Sequence, residues 1–254
     1  MSWSTYIANK LIKDIKANKN ESESITYEKA LTYFGNKLVV DSDEFAKLSQ
    51  ASKAKAFTVA RYSEMDILNK FHGELVEAIK QGLTLHDFKT RMNDFLIRKG
   101  YEGITPFQAD NIYRTNIQTA FNIGRYNEMN KPTITKYRPY WIYDAIDDSH
   151  TRASHRAMNN KVFRYDNPVW DTWYPPNGYR CRCKVRTLSE RQLKERGLMV
   201  SEHLDPVQLD KETGAVVQML PDKNFGTNPA KTAFKPDIEK FPRTFQKVLS
   251  EEMK

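Results

Sequence analysis

Seven side chains able to carry charge or hold a metal crowd into residues 144–156: Asp144, Asp147, Asp148, His150, Arg152, His155 and Arg156. The chain's two cysteines follow in the triplet Cys181-Arg182-Cys183. In a strand, residues i and i+2 share a face. Both thiolates could then reach one zinc ion at about 2.3 Å, and His150 and His155 could complete a two-cysteine, two-histidine set. The spacing lacks the C-x2-4-C pair of a standard finger. Plain core packing is the rival account, because cysteine is among the most buried residue types. A disulfide between the two would be strained at i,i+2 spacing.

The same acids and imidazoles, with Asn160, could instead hold a divalent ion and activate water, as in a metal-dependent nuclease. The Asp/Arg alternation equally suits a salt-bridged loop. No P-loop, dinucleotide fingerprint, G-x-S-x-G elbow or H-E-x-x-H occurs. The expectation is a protein that is not an enzyme. A metal-dependent nuclease or other DNA-processing enzyme is the alternative.

Cations concentrate in the same region. Residues 131–200 hold 14 Lys+Arg against 7 Asp+Glu, nearly all of the net +8 of the 254-residue chain. Arg180, Arg182, Lys184 and Arg186 alternate with Cys181, Cys183 and Val185. A strand there would bury one face and present four cations on the other. Such a face suits DNA or an acidic protein surface, and phosphate binding through it would be steeply salt-dependent. A basic surface that only aids solubility is the plainer account.

The elements that must position these groups divide at proline. Ten of the eleven prolines lie at or beyond Pro132. Proline breaks helix interiors, so the first 130 residues can be mostly helical and the rest cannot. Asp41 reads as an N-cap with Glu44 at N3. Ser63-Glu64-Met65-Asp66 opens a helix whose Leu68, Phe71, His72, Leu75, Val76 and Ile79 share one face, with Gly82 to end it. Thr84 caps a third helix, with Asp87 at N3, running to Gly100. Thr105-Pro106-Phe107-Gln108 opens a fourth, to about Met129.

Beyond Pro132, Tyr137 to Ile146, Lys161 to Tyr165 and Cys181 to Arg186 read as strands. Pro176-Asn177-Gly178 is a turn leading into the last. Ser189 caps a short helix ended by Gly197. Trp170, Trp173 and Tyr174 are expected to pack a core. The expected fold is α+β: a mostly helical N-terminal half (1–130), a small mixed α/β module with short antiparallel strands (131–200), and a loop-rich C-terminal tail (201–254) with a final helix from Pro242.

Composition excludes several classes. Thirteen Phe, 13 Tyr and 4 Trp supply burial that a disordered chain lacks. Two cysteines cannot build a disulfide framework. No run approaches the ~18 apolar residues of a membrane span. Met1-Ser2-Trp3-Ser4-Thr5 lacks the start of a secretory signal. An intracellular protein that does not engage a membrane is expected.

Beyond these inferences, the stretch from Tyr140 to Gly197 resembles the phage Mu F-like minor head protein family, also called the phage head morphogenesis family. The resemblance rests on Arg138-Pro139-Tyr140-Trp141, Asp148-Ser149-His150-Thr151-Arg152, His155, Lys161-Val162-Phe163, Pro168-Val169-Trp170-Asp171-Thr172, Tyr174-Pro175-Pro176-Asn177-Gly178, Cys181-Arg182-Cys183 and Leu188-Ser189-Glu190. Tyr113-Arg114-Thr115-Asn116, Ala120-Phe121-Asn122-Ile123-Gly124-Arg125-Tyr126 and Ala56-Phe57-Thr58-Val59-Ala60 fit upstream. Pro221-Asp222-Lys223-Asn224-Phe225 and Asn228-Pro229 resemble the family's tail. Asn160, Asn224 and Ala230 stand where that pattern has glycine.

The resemblance implies a minor capsid protein acting in head morphogenesis, present in a few copies around the portal. Its implied partners are the portal protein, the major capsid protein and packaged double-stranded DNA, with a part in packaging or delivering the genome. Its implied location is the head interior at the portal vertex, and the host cytoplasm during assembly. No reaction is implied. The chain ends soon after the matched tail, so no toxin-like extra domain is expected.

Overall fold

The computed structural model describes residues 21–210 and 212–231. The first half is helical. Helix α1 (Glu21–Gly35) leads through β1 (Leu38–Val39), α2 (Ser42–Lys47) and α3 (Gln50–Lys55) to β2 (Ala56–Phe57). The long helices α4 (Met65–Gln81), α5 (Leu85–Arg98) and α6 (Pro106–Met129) follow. Strands β1 and β2 pair in parallel.

Local chemistry explains the boundaries. Asp41 accepts the N–H groups of Asp43 and Glu44, both at 2.9 Å. Thr84 with Asp87, and Thr105 with Gln108, form reciprocal capping boxes. Gly82 ends α4 in the left-handed region, at φ 67°, where a Cβ would be costly. Ser63 does not cap α4: the N-cap is Glu64, which makes no side-chain cap bond.

One apolar core joins these helices: Phe34, Phe57, Leu68, Phe71, Leu75, Phe88, Met92, Leu96, Ile117 and Ile123 are among its buried members. His72 stacks on Phe34 at 5.1 Å, and its Nε2 lies 2.8 Å from the Phe34 carbonyl. Burial holds that imidazole below its ordinary pKa.

The second half is the mixed module. It runs α7 (Pro132–Thr135), β3 (Tyr140–Asp144), α8 (Ala153–Met158), β4 (Val162–Arg164), α9 (Val169–Trp173), β5 (Lys184–Leu188) and α10 (Glu190–Glu195). The sheet order is β4-β3-β5, antiparallel throughout. Its core is aromatic: Trp141, Tyr143, Phe163, Trp170, Trp173 and Tyr174 are all at most 2% exposed. Trp141 sits 5.6 Å from Trp170 and 5.5 Å from Tyr126.

Helix α6 serves both cores. Ala109 through Ile123 pack into the helical core, and Tyr126 and Met129 into the aromatic one. At 24 residues it is about 36 Å long. It is the spine against which the module is set.

Three strand boundaries differ from expectation. The first strand covers Tyr140–Asp144 within the wider Tyr137–Ile146 window, and the second Val162–Arg164. The third begins at Lys184. Cys181 to Cys183 are not ladder residues, because β3 ends at Asp144, opposite Lys184. The tail, expected to be loop-rich, also holds a hairpin of β6 (Val207–Leu209) and β7 (Val216–Gln218). The helix expected from Pro242 lies outside the described residues.

Candidate metal centre

His155, Cys181 and Cys183 converge, their candidate ligand atoms all within 4.8 Å of one another. Nδ1 of His155 is 3.8 Å from Cys181 Sγ and 3.5 Å from Cys183 Sγ. All three residues are buried, at 2–3% exposure. Nε2 of His155 is buried without a hydrogen-bond partner. This donor set could hold a metal ion. His150 stands apart from it. It is exposed, with Nδ1 3.3 Å from Ser149 Oγ and its N–H donating to Asp148. The expected set of four therefore contracts to three.

The two thiols have unequal acidities. The hydrogen bond from Cys183 and the neighbouring His155 hold Cys181 well below its ordinary pKa. Cys183 is raised well above its own by its hydrogen bond to Cys181, by burial, and by the second negative charge that its ionisation would set beside the first. Burial and the two sulfurs also raise the Tyr143 phenol.

Several elements aim these groups. His155 projects from α8, where Ala157 and Met158 are also buried. The cysteines follow the turn Pro176-Asn177-Gly178, which Arg180 closes in the left-handed region at φ 58°. Tyr143 on β3 donates to Asn177 Oδ1 at 2.8 Å, and Asn177 Nδ2 donates to the Thr172 carbonyl at 3.3 Å. Helix α6 completes the frame. Gln118 Nε2 donates to the Cys183 carbonyl at 2.9 Å, and Asn122 Nδ2 contacts it at 3.4 Å. Side chains of α6 thus take the acceptor that a neighbouring strand would otherwise use.

The four alternating cations are all engaged. Arg182 pairs with both oxygens of Asp148, at 2.7 and 2.6 Å. That guanidinium lowers the Asp148 pKa to about 2. Arg180 reaches Asp110 on α6 at 2.6 Å, and Asp110 also pairs with Arg114. Asp144 faces Arg186 at 2.9 Å and Lys184 at 3.6 Å. Two of the carboxylates thus serve two cations each. Arg180, Lys184 and Arg186 keep 42–48% of their side chains exposed, whereas Arg182 keeps 16%.

The pairing extends across the molecule. Arg156 binds Asp210 at 2.8 Å and Glu212 at 3.0 Å, Arg152 binds Asp222 at 3.0 Å, and Lys131 binds Glu128 at 2.9 Å. Acids from α6 and the tail thereby offset the cations of the module. The carboxylates that a nuclease reading would use are partly consumed in this way, since Asp144 and Asp148 hold arginines.

The family model described as Phage Mu protein F like protein matches residues 69–186. That span runs from α4 to β5 and includes His155, Cys181 and Cys183. This stretch of the chain belongs to the phage Mu protein F-like family. The putative capsid assembly protein F of Escherichia phage Mu is 34% identical, over 72% of this chain and 49% of that protein. The Mu-like prophage FluMu F protein of Haemophilus influenzae is 32% identical, over 68% of this chain and 46% of that protein. The chain spans about half the length of these curated relatives. No solved structure matches it significantly.

Two of the glycine departures from the Mu F-like pattern are now explained. Asn160 and Asn224 adopt φ 64° and 75°. Asparagine tolerates the left-handed region better than other non-glycine residues. Sequence reasoning did not pick out Gln118, Asn122 or Tyr143 as site residues. Gln118 and Asn122 lie one turn apart on α6, but only the fold shows which backbone they face.

Proposed function

We propose that this Mu F-like chain is a phage minor head protein that acts in head morphogenesis and is not an enzyme. The observation that carries this reading is the match of residues 69–186 to the Mu F-like model, together with a relative named as a putative capsid assembly protein. On this reading the chain docks at the portal protein and the inner face of the major capsid protein, in a few copies near packaged double-stranded DNA. It assembles in the host cytoplasm and resides in the virion, at the portal vertex inside the head. It aids packaging or delivery of the genome.

The contact surface in this proposal is the basic segment Arg180, Arg182, Lys184 and Arg186. Supporting it, the clusters at Asp110 and Asp144 each hold two cations per carboxylate, so each retains positive charge beside half-exposed side chains. Zinc at the His155, Cys181 and Cys183 cluster completes the reading.

Mass spectrometry of purified particles tests the location, and co-purification with the portal protein tests the docking. The chain is expected in both. Its absence from particles, with no portal binding, would overturn the proposal. Binding to duplex DNA over a salt series tests the DNA arm.

A further inference from the structure

Resting on that zinc assignment, we propose that the ion is a buried structural clamp: Nδ1 of His155 and the sulfurs of Cys181 and Cys183 bind it, fastening α8 to the segment that enters β5.

The distances fit tetrahedral zinc. With Zn–S about 2.3 Å and Zn–N about 2.0 Å, neighbouring ligand atoms at a tetrahedral site lie about 3.5–3.8 Å apart. The two N···S separations are 3.5 and 3.8 Å. Two thiolates and an imidazole form a soft donor set, which favours zinc over magnesium or calcium. Among the described residues no other His, Cys, Asp or Glu joins the group. The fourth vertex therefore falls to a small ligand such as water. Binding takes both sulfurs as thiolates, and any thiol proton still present leaves to solvent.

Burial separates a clamp from a reactive centre. The three residues are 2–3% exposed, so a substrate cannot reach the sulfurs. A buried imidazole is also poorly served by what surrounds it. Its Nε2 has no partner and its Nδ1 faces only two cysteine sulfurs, which are weak hydrogen-bond partners. A metal at Nδ1 replaces those two weak contacts with one strong bond and leaves Nε2 as it is.

The clamp also has a mechanical reason. Helix α8 has six residues and makes no side-chain cap bond at its start. A helix that short is not stable alone. The Cys181–Cys183 segment has no strand partner of its own. One ion between residues 155 and 183 joins two segments that are each weak locally, and it stabilises the folded chain because the unfolded chain has no such site.

The test uses the full chain, purified under reducing conditions. Elemental analysis is expected to give one zinc per chain. Cobalt exchanged into the site is expected to show thiolate charge-transfer and tetrahedral ligand-field bands. Chelator-stripped protein is expected to melt lower by about 5 °C or more and to recover when zinc returns. Proteolysis within residues 149–160 is expected to rise on stripping.

Should the double variant Cys181→Ser, Cys183→Ser fail to fold, stripping the unaltered chain gives the same readout. His155→Cys, which keeps three donors, is expected to retain zinc. No zinc as purified and none taken up by the reduced protein overturns the zinc assignment. Stoichiometric zinc whose removal changes neither melting nor proteolysis overturns the clamp while leaving the zinc assignment standing. Neither outcome touches the head-assembly reading, which particle composition decides.

Discussion

Arg180 Nε lies 2.6 Å from Asp110 Oδ2, joining the turn before Cys181 to the start of α6. The same carboxylate holds Arg114 one helical turn away. Asp110 is 9% exposed at its side chain and Arg180 45%. Removing the acid leaves two cations facing each other, whereas removing Arg180 leaves a pair intact. Asp110→Ala is therefore expected to cost about 2 kcal/mol and Arg180→Ala about 1 kcal/mol or less. Denaturant melts of the two variants check the order, and equal costs would refute it.

The basic segment gives a second prediction, which separates binding from folding. Lys184 and Arg186 share Asp144 and remain 48% and 42% exposed. Their double alanine variant is expected to keep its fold and to flatten the slope of log K against log salt for duplex DNA by about 1–2 units. Arg182→Ala is expected instead to lower stability, because it leaves Asp148 without its bidentate partner. Fluorescence anisotropy and thermal melts on the same samples distinguish the two. Salt-independent DNA binding by the unaltered chain would remove DNA from the partner list.

Acid sensitivity follows from two carboxylates. Asp148 is lowered to about 2 chiefly by Arg182, and Asp210 to about 2 chiefly by Arg156. In the unfolded chain both titrate near about 3.9. A depressed folded value means that the stabilisation is complete above about pH 4 and is lost as the pH falls toward 2. Melting temperature is expected to drop across that window. Asp148→Asn is expected to start lower at neutral pH and to drop less. Identical pH profiles for the variant and the unaltered chain would show that the pair contributes nothing.

Gly178 offers a packing test. An added Cβ would sit 2.8 Å from Asp222 Cγ and 3.1 Å from Arg152 Cζ. The Arg152–Asp222 pair at 3.0 Å would have to move. Gly178→Ala is expected to cost about 1 kcal/mol. In an Asp222→Ala background the same change is expected to cost less, because the obstacle is gone. A double-mutant cycle with no coupling would argue against this close approach.

Much of the helical half is legible in the sequence because its signals are local. Thr84 with Asp87, and Thr105 with Pro106 and Gln108, start α5 and α6 where their capping chemistry puts them. Gly82 and Gly197 stop helices at positive φ. The strands are less legible. Those of the three-stranded sheet span three to five residues, and their ends depend on where the partner strand stops. The hairpin at Val207–Leu209 and Val216–Gln218 escaped for the same reason: it is two three-residue strands whose outer side chains are exposed.

Residue types and spacing determined the metal-ligating candidates, the family resemblance and the uneven charge. Cys181 and Cys183 both reach His155 even though no ladder forms there. Tertiary structure alone decided which histidine joins them. His155 lies on a helix packed into the aromatic core, and His150 on an exposed turn. It also decided what becomes of the charge. The excess on residues 131–200 meets Asp110, Glu128, Asp210, Glu212 and Asp222, none of which belongs to that stretch. Electrostatic energy depends on distance in space, and distance along the chain does not report it.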